Sequence, residues 1–263
     1  MSTPKSVLAI AAHPDDIEFV MTGTLLRLIE NGWEAHYFNV ANGCCGSTQV
    51  GREECAAIRL KEAQSAADKI PAKFYSPICD DMEIFYTTEN LAKVSAVVRE
   101  AKPSIVLTHA PVDYMEDHQN TSRLAVSAAF VRGMPNVRVE PASPPFEHPI
   151  AVYHAQPHGN CDPLGVPVIP THCVDVESLL ERKKELLACH ESQDQWLDET
   201  QAISSYLDTM VGLNRQVAEL TGQFAAAEGW RRHAYMGFSP PGFDPLRDAL
   251  GSQIAVKDQG SVA

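Results

Sequence analysis

Two short stretches of this chain gather residue types able to carry out metal-assisted hydrolysis. SVLAIAAHPDDIEF places His13, Asp15 and Asp16 on a tight turn directly after an apolar run, and far along the chain DYMEDHQN offers Asp113, Asp117 and His118. Two imidazoles and one carboxylate make a nitrogen, nitrogen, oxygen set that suits zinc with a position left open for water. A neighbouring carboxylate outside the ligand set can take a proton from that water as it attacks. Asp117, next to His118, is placed to hydrogen-bond a ring nitrogen and fix its tautomer or charge. For HPDD alone, a turn-and-cap role competes evenly with catalysis, because aspartate after a strand commonly caps the next helix. The second cluster moves the reading to a metal site.

The elements that must position these residues are legible in outline. KSVLAIAAH reads as a buried strand, too short and too β-branched for a helix. TGTLLRLIENG follows as an apolar-periodic helix, opened by Thr22-Gly23-Thr24 and stopped by Gly32. WEAHYFNVANG alternates like a second strand and runs into the glycine-rich loop NGCCGSTQVG. REECAAIRLKEAQSAADKI predicts a long amphipathic helix with Ala57, Leu60, Ala63 and Ala67 facing inward. KFYSPICDD gives a third strand, TTENLAKVSAVVREAKP a helix ended by Pro103, and SIVLTHAP a fourth strand that, like the first, finishes on a histidine. Strands alternating with helices indicate parallel βαβ units, and ligands in such folds sit beyond the carboxyl ends of the strands. His13 and His109 are therefore expected at one crevice. Further on, IAVYHAQ reads as a strand, VESLLERKKELLACHESQ and YLDTMVGLNRQVAELTGQFAAAEGWRRHAY as two helices, and the tail from Ser239 as a loop-rich wrap over the surface. No repeat or low-complexity tract interrupts the chain.

Bulk properties narrow the function classes. The 263 residues are 44% hydrophobic, enough for one large core, and the formal charge of −13 argues against nucleic acid or an anionic membrane as the main partner. A small anionic substrate held by one or two arginines stays open. MSTPKS does not resemble a secretory leader, and no apolar run reaches the roughly 18 to 20 residues that span a bilayer, so a soluble, cytoplasmic protein is expected. The seven cysteines contain no CxxC pair and read as reduced packing residues, with the adjacent Cys44-Cys45 standing apart in its Gly-flanked loop. His36, His148, His172, His190 and His233 read as structural or surface residues. Trp33, Trp196 and Trp230 read as packing residues, with stacking on a sugar face as the alternative.

AAHPDDIE with the downstream DxxxxDH resembles the PIG-L/LmbE family of zinc-dependent N-deacetylases, which remove acetyl groups from amino-sugar derivatives. TGTLLRLIENG is similar to that family's first helix, AAIRLKEAQSAADKI to its R-x-x-E-A helix, CDDMEI to a D-x-x-aliphatic turn and AEGWRRHAY to a late segment; the likeness covers most of residues 6 to 130 and thins beyond. It implies an α/β, Rossmann-like fold with a mostly parallel sheet flanked by helices on both faces. The whole of 1–263 is then one domain, with a core at 5–135 and a C-terminal elaboration at 136–263. It implies His13, Asp16 and His118 as zinc ligands, with Fe2+ as an alternative ion, and Asp15 as the general base. Arg59 is implied to face the substrate, Asp81 to bind it, and Asp117 to be the carboxylate of the family's H-P-D-H segment.

One departure from that pattern matters. Where the family has the first histidine of H-P-D-H, this chain has Met115, whose thioether can neither donate a hydrogen bond nor carry positive charge toward an oxyanion. His109, Tyr114, His154 and His158 are the candidates to fill the role, and His154 is preferred because it follows the strand-like IAVY. The expected reaction is release of acetate from an N-acetylglucosamine-type derivative. The alternatives are cleavage of another N-acyl or thiol-conjugate amide, or a non-catalytic carbohydrate- or metal-binding homologue. Subunit assembly stays open, a homo-oligomer included.

Overall fold

The first apolar run is strand β1 (Ser6–Ala11), and every residue in it is buried. Its side chains serve two cores in alternation: Val7, Ala9 and Ala11 enter one, Leu8 and Ile10 the other. Burial on both faces is why the run is continuously apolar rather than alternating. The computed structural model describes residues 3–193 and 206–257, so Trp196 lies outside the described residues.

Strands β2 (Glu34–Asn39), β3 (Ala72–Tyr75), β4 (Ile105–Thr108) and β5 (Ala151–Ala155) join β1 in parallel. Strands β6 (His172–Asp175), β7 (Ala227–Arg232) and β8 (Ile254–Val256) extend the sheet with antiparallel pairings, giving the order β3-β2-β1-β4-β5-β7-β6-β8. Helices α2 (Thr22–Glu30) and α3 (Arg52–Asp68) pack on the first core, and α4 (Thr88–Ala101) and α5 (Glu116–Phe130) cover the second. Helices α6 (Leu180–Leu187) and α8 (Pro245–Leu250) add to the first core, as does the start of α7 (Tyr206–Thr221). The α/β fold with a mostly parallel sheet, covered on both faces, is thus as the sequence implies. A short helix at Asp16–Val20, α1, separates the HPDD turn from α2.

Three elements differ from the sequence reading. The helix expected to run through AEGWRRHAY ends at Thr221, where left-handed Gly222 (φ 67°) and Phe224 (φ 63°) turn the chain, and AEGWRR is strand β7. The tail supplies α8 and an edge strand instead of only wrapping the surface. On α3 the buried stripe is Cys55, Arg59, Ala63, Ala66 and Ala67, whereas Ala57 is exposed and Leu60 half-buried. The stripe turns toward Arg59 because that guanidinium is drawn inward by partners described below.

Strand β7 was hard to see because its centre carries a buried charge. Glu228 is 2% exposed and accepts hydrogen bonds from the Gly23 and Thr24 backbone N–H groups (2.8 and 2.7 Å) and from the Thr24 hydroxyl (2.7 Å). The amides belong to the first turn of α2, which lack intrahelical acceptors, so a carboxylate from a distant strand caps this helix and complements its dipole. Lys183 of α6, fully buried, pairs with the same carboxylate. The indole of Trp230 donates to the Thr24 hydroxyl (2.9 Å). Gly23 is required here by space, since a Cβ would lie 2.4 Å from Val176 Cγ1 and 2.9 Å from Glu228 Oε1. Removing one member of a buried pair strands the other charge, at a cost of about 3–5 kcal/mol. Glu228→Ala is therefore expected to lower unfolding free energy by about that amount in urea titrations, and a loss below about 1 kcal/mol would show that the pair is dispensable.

Candidate active site

Strands β1 and β4 are neighbours, with Ile10 opposite Thr108, so the loops leaving their carboxyl ends meet. His109 Nε2 accepts the Ala12 N–H at 2.9 Å, which fixes that meeting and leaves this nitrogen without a proton. The first turn of α5 then brings Asp117 and His118 to the same place, with both residues buried.

His13, Asp16 and His118 converge so that one ligand atom from each lies within 4.8 Å of the others. His13 Nδ1 is 3.5 Å from Asp16 Oδ2, and His118 Nε2 is 3.4 Å from Asp16 Oδ1. The outward nitrogens are held by other carboxylates. His13 Nε2 is 3.0 Å from Asp117 Oδ2, and His118 Nδ1 is 3.0 Å from Asp113 Oδ1. Imidazole ligands of metals are typically oriented in this way. Burial lowers the basicity of His13, but its bonds to Asp117 and Asp16 outweigh that and raise its pKa to about 10. Burial likewise opposes His118, and Asp16 and Asp113 raise it to about 9. Burial also works against ionisation of Asp16, and the neighbouring His118 and His109 hold its carboxyl well below the usual range. A site this favourable to positive charge, with two nitrogens and one oxygen facing inward, fits a divalent metal ion by its donor set.

Asp15 occupies the position before α1 but does not cap it with its side chain, and its backbone lies at φ 99°. A non-glycine residue in that region carries strain that the surroundings must hold. The holders are visible. Arg59 donates to the Pro14 carbonyl and to Gln193, its Nη2 stands 3.5 Å from Asp15 Oδ2, and the Tyr206 hydroxyl donates to the same oxygen at 2.6 Å. Burial pushes the Asp15 carboxyl up, against the pull of the Arg59 guanidinium. Asp15 is thus aimed away from the capping role and kept outside the ligand triad.

Arg59 is itself crossed by the glycine-rich loop. A Cβ on Gly46 would lie 2.5 Å from Arg59 Nη1. Asp81 pins this loop by accepting the Gly43 and Cys45 N–H groups at 2.7 and 2.8 Å. Asp81 therefore has a loop-holding task in addition to its place beside the cavity. Asp117 also accepts the Met82 N–H (2.7 Å), tying Asp81's turn to His13.

These residues border one cavity of about 280 Å3 whose lining includes His13, Asp15, Asp16, Arg59, Asp81 and His118. His109, Tyr114, Met115 and His158 also line it. His154 does not. It points from β5 toward α5, where Nδ1 is 2.9 Å from the His109 carbonyl and 3.1 Å from Ser122 Oγ, and it borders a separate recess with His233 and Arg123. Its expected oxyanion role is corrected by strand parity: His154 shares a face with Val152, in the second core, while the cavity opens past the strand end. His36, His148, His172, His190 and His233 do not line the cavity, and Trp230 is fully buried, as packing roles require. Sequence reasoning missed Gln193 and Tyr206, which no local motif marks, and it named Asp113 only as an available carboxylate.

Residues 8–129 match the family model described as PIG-L, GlcNAc-PI de-N-acetylase. Over that stretch the chain is similar to the PIG-L family. Diacetylchitobiose deacetylase of Thermococcus kodakarensis is 28% identical over 222 residues, 79% of each chain. Among solved structures, N,N'-diacetylchitobiose deacetylase from Pyrococcus horikoshii superposes with a TM-score of 0.73 at 24% identity, covering 92% of this chain and 88% of that one. GalB, the 4-carboxy-2-hydroxymuconate hydratase of Pseudomonas putida, shares the fold with a TM-score of 0.67 at 20% identity, covering 87% and 96%. Among the described residues, no helix is long and apolar enough to cross a membrane.

Burial depresses the His154 pKa to about 4, so this imidazole is neutral in the fold. Above pH about 6.5 it is neutral in both folded and unfolded states and has no effect on their balance. Between about 6.5 and 4 the unfolded chain takes up the proton first, and stability falls as pH falls. His154→Gln is expected to flatten part of that decline in urea midpoints measured across this window. An unchanged slope would mean that His154 titrates normally in the fold.

Proposed function

We propose that the protein is a zinc-dependent N-deacetylase that hydrolyses the acetamide of an N-acetylglucosamine-type amino sugar. The observation that carries this reading is an unliganded carboxylate, Asp15, buried beside a two-histidine, one-aspartate donor set in a single cavity. Deacetylase names among the relatives support the reaction class. Zinc held by His13, Asp16 and His118 would supply Lewis acidity toward the acetamide carbonyl and toward water. Fe2+ is the alternative ion for the same donors.

Asp15 removes the proton from the attacking water and later delivers it to the leaving amine. Burial raises the basicity of its carboxylate, while Arg59 and Tyr206 keep it aimed at the cavity. Asp117 and Asp113 hold the two imidazoles in the ligand orientation, so Asp117 acts through His13 rather than on the substrate. Arg59, buried at 3% exposure, lines the cavity, and so does Asp81.

Met115 leaves the carbonyl oxygen without the family's imidazole donor, and His158 fills that place. It lines the cavity with Tyr114 and His118, and the Tyr114 ring centroid is 5.7 Å from that of His158 and 5.6 Å from that of His118. The Phe19 ring centroid is 5.4 Å from that of His158. Burial lowers the His158 pKa, so it donates as a neutral imidazole.

With zinc added, the purified chain is expected to release acetate from N-acetylglucosamine derivatives. Asp15→Asn should keep the metal and lose roughly two to four orders of magnitude in turnover. Failure to release acetate from any N-acylated sugar, or a variant within a few-fold of the parent, would refute the assignment. His158→Ala should lose about 100- to 1,000-fold in kcat with metal content unchanged, as the loss of one oxyanion donor does. Full activity in that variant would leave the oxyanion to other groups.

A further inference from the structure

The glycine-rich loop that borders the cavity carries two cysteines that the deacetylation chemistry does not use. Cys44 and Cys45 are adjacent in sequence, and their sulfurs stand 3.8 Å apart. Asp81 is the third member, with one ligand atom from each residue within 4.8 Å of the others. Two thiolates sharing one tetrahedral zinc at about 2.3 Å each lie about 3.8 Å from one another, so the sulfurs already stand at the spacing of a shared ion. Side chains of neighbouring residues usually diverge, and this loop brings them together because Asp81 pins it at two points, the Gly43 and Cys45 N–H groups. Each Asp81 oxygen accepts one of those bonds, leaving lone pairs for a cation.

We propose that Cys44, Cys45 and Asp81 form a second metal site, selective for thiophilic divalent ions such as zinc or cadmium and separate from the His13–Asp16–His118 set. Thiolate ligands confer that selectivity. Binding releases the two thiol protons to solvent and forms two metal–sulfur bonds and one metal–oxygen bond, with solvent completing the shell. Cys44 is buried and Cys45 exposed, so the ion enters from the Cys45 side. Because thiols must lose their protons to ligate, occupancy rises with pH. Two cations lie near: Arg52, with Nη1 3.7 Å from Cys45 Sγ and its charge balanced by Asp80 at 2.7 Å and Glu83 at 3.0 Å, and Arg59, which lies against the same loop and interacts with Asp81 and Asp15. Cys45 and Asp81 both line the cavity, so an ion here takes up space beside the room a substrate must use. The site thereby makes excess metal an inhibitor of the same protein that needs metal for turnover.

Cadmium chloride titrated into the full-length chain tests the site through the ultraviolet thiolate-to-cadmium charge-transfer band, which histidine and carboxylate ligands do not produce. The band should saturate at about one thiolate-bound ion per chain. It should persist in His13→Ala and disappear in Cys45→Ser and in Cys44→Ser, with dialysis showing one fewer bound ion in each serine variant. Excess zinc should slow acetate release by the parent more than by Cys45→Ser, each compared with its own rate at stoichiometric zinc. No band in the parent, or a band retained in both serine variants, overturns the proposal. The absorption measurement needs no turnover, so it decides the metal site even where the acetate assay is silent.

Discussion

The buried carboxylate of Glu228 joins the two ends of the chain, and the site rests on that junction. Through it, strand β7 caps helix α2, which follows the HPDD turn and α1, while Lys183 supplies the countercharge from α6. An unpaired buried carboxylate is expensive, and one with three hydrogen-bond donors and an ammonium is tolerable. The arrangement holds the start of α2 at a fixed height against the sheet. With β1 entering from one side and α2 leaving from the other, the turn carrying His13, Asp15 and Asp16 has little freedom left.

Carboxylates do most of the positioning around the cavity, each in a different way. Asp117 joins a candidate metal ligand to the Met82 turn, Asp113 orients His118, and Asp81 clamps the loop that crosses Arg59. Asp16 faces His13 and His118, and Asp15, beside them in the same cavity, is the carboxylate proposed as the base. Four aspartates of ordinary reactivity are thus differentiated from Asp15 by what their oxygens already accept. Environment rather than residue type divides the labour, as pKa tuning requires.

Much of this was legible because continuous apolar runs announce strands buried on both faces, and chemistry placed at their ends is easy to see. His13 and Asp16 follow the end of β1, and His118 comes from the first turn of α5, which follows the loop after β4. His154 misled for a physical reason: β5 is buried on both faces, so its sequence carries no alternation to tell which side residue 154 takes. Strand β7 was obscured by Glu228 and the arginines, polar residues whose burial depends on partners far away in sequence. Tyr206 and Gln193 reach Asp15 and Arg59 across long chain separations, and spacing within a motif cannot register such contacts.

The family-matched segment, residues 8–129, contains every candidate ligand and the proposed base, yet it is not a self-sufficient machine. Its side of the first core is completed by Tyr153, Trp230, Leu246 and Ile254, all contributed from outside it. Tyr206, Gln193, Gln156 and His158 likewise close the cavity from beyond its limits. The candidate donors and the proposed base thus lie in the family-matched segment, while part of the vessel around them is supplied by residues beyond it. Substrate choice can diversify in that vessel without disturbing the donors, as in a lock whose barrel is kept while its wards are recut.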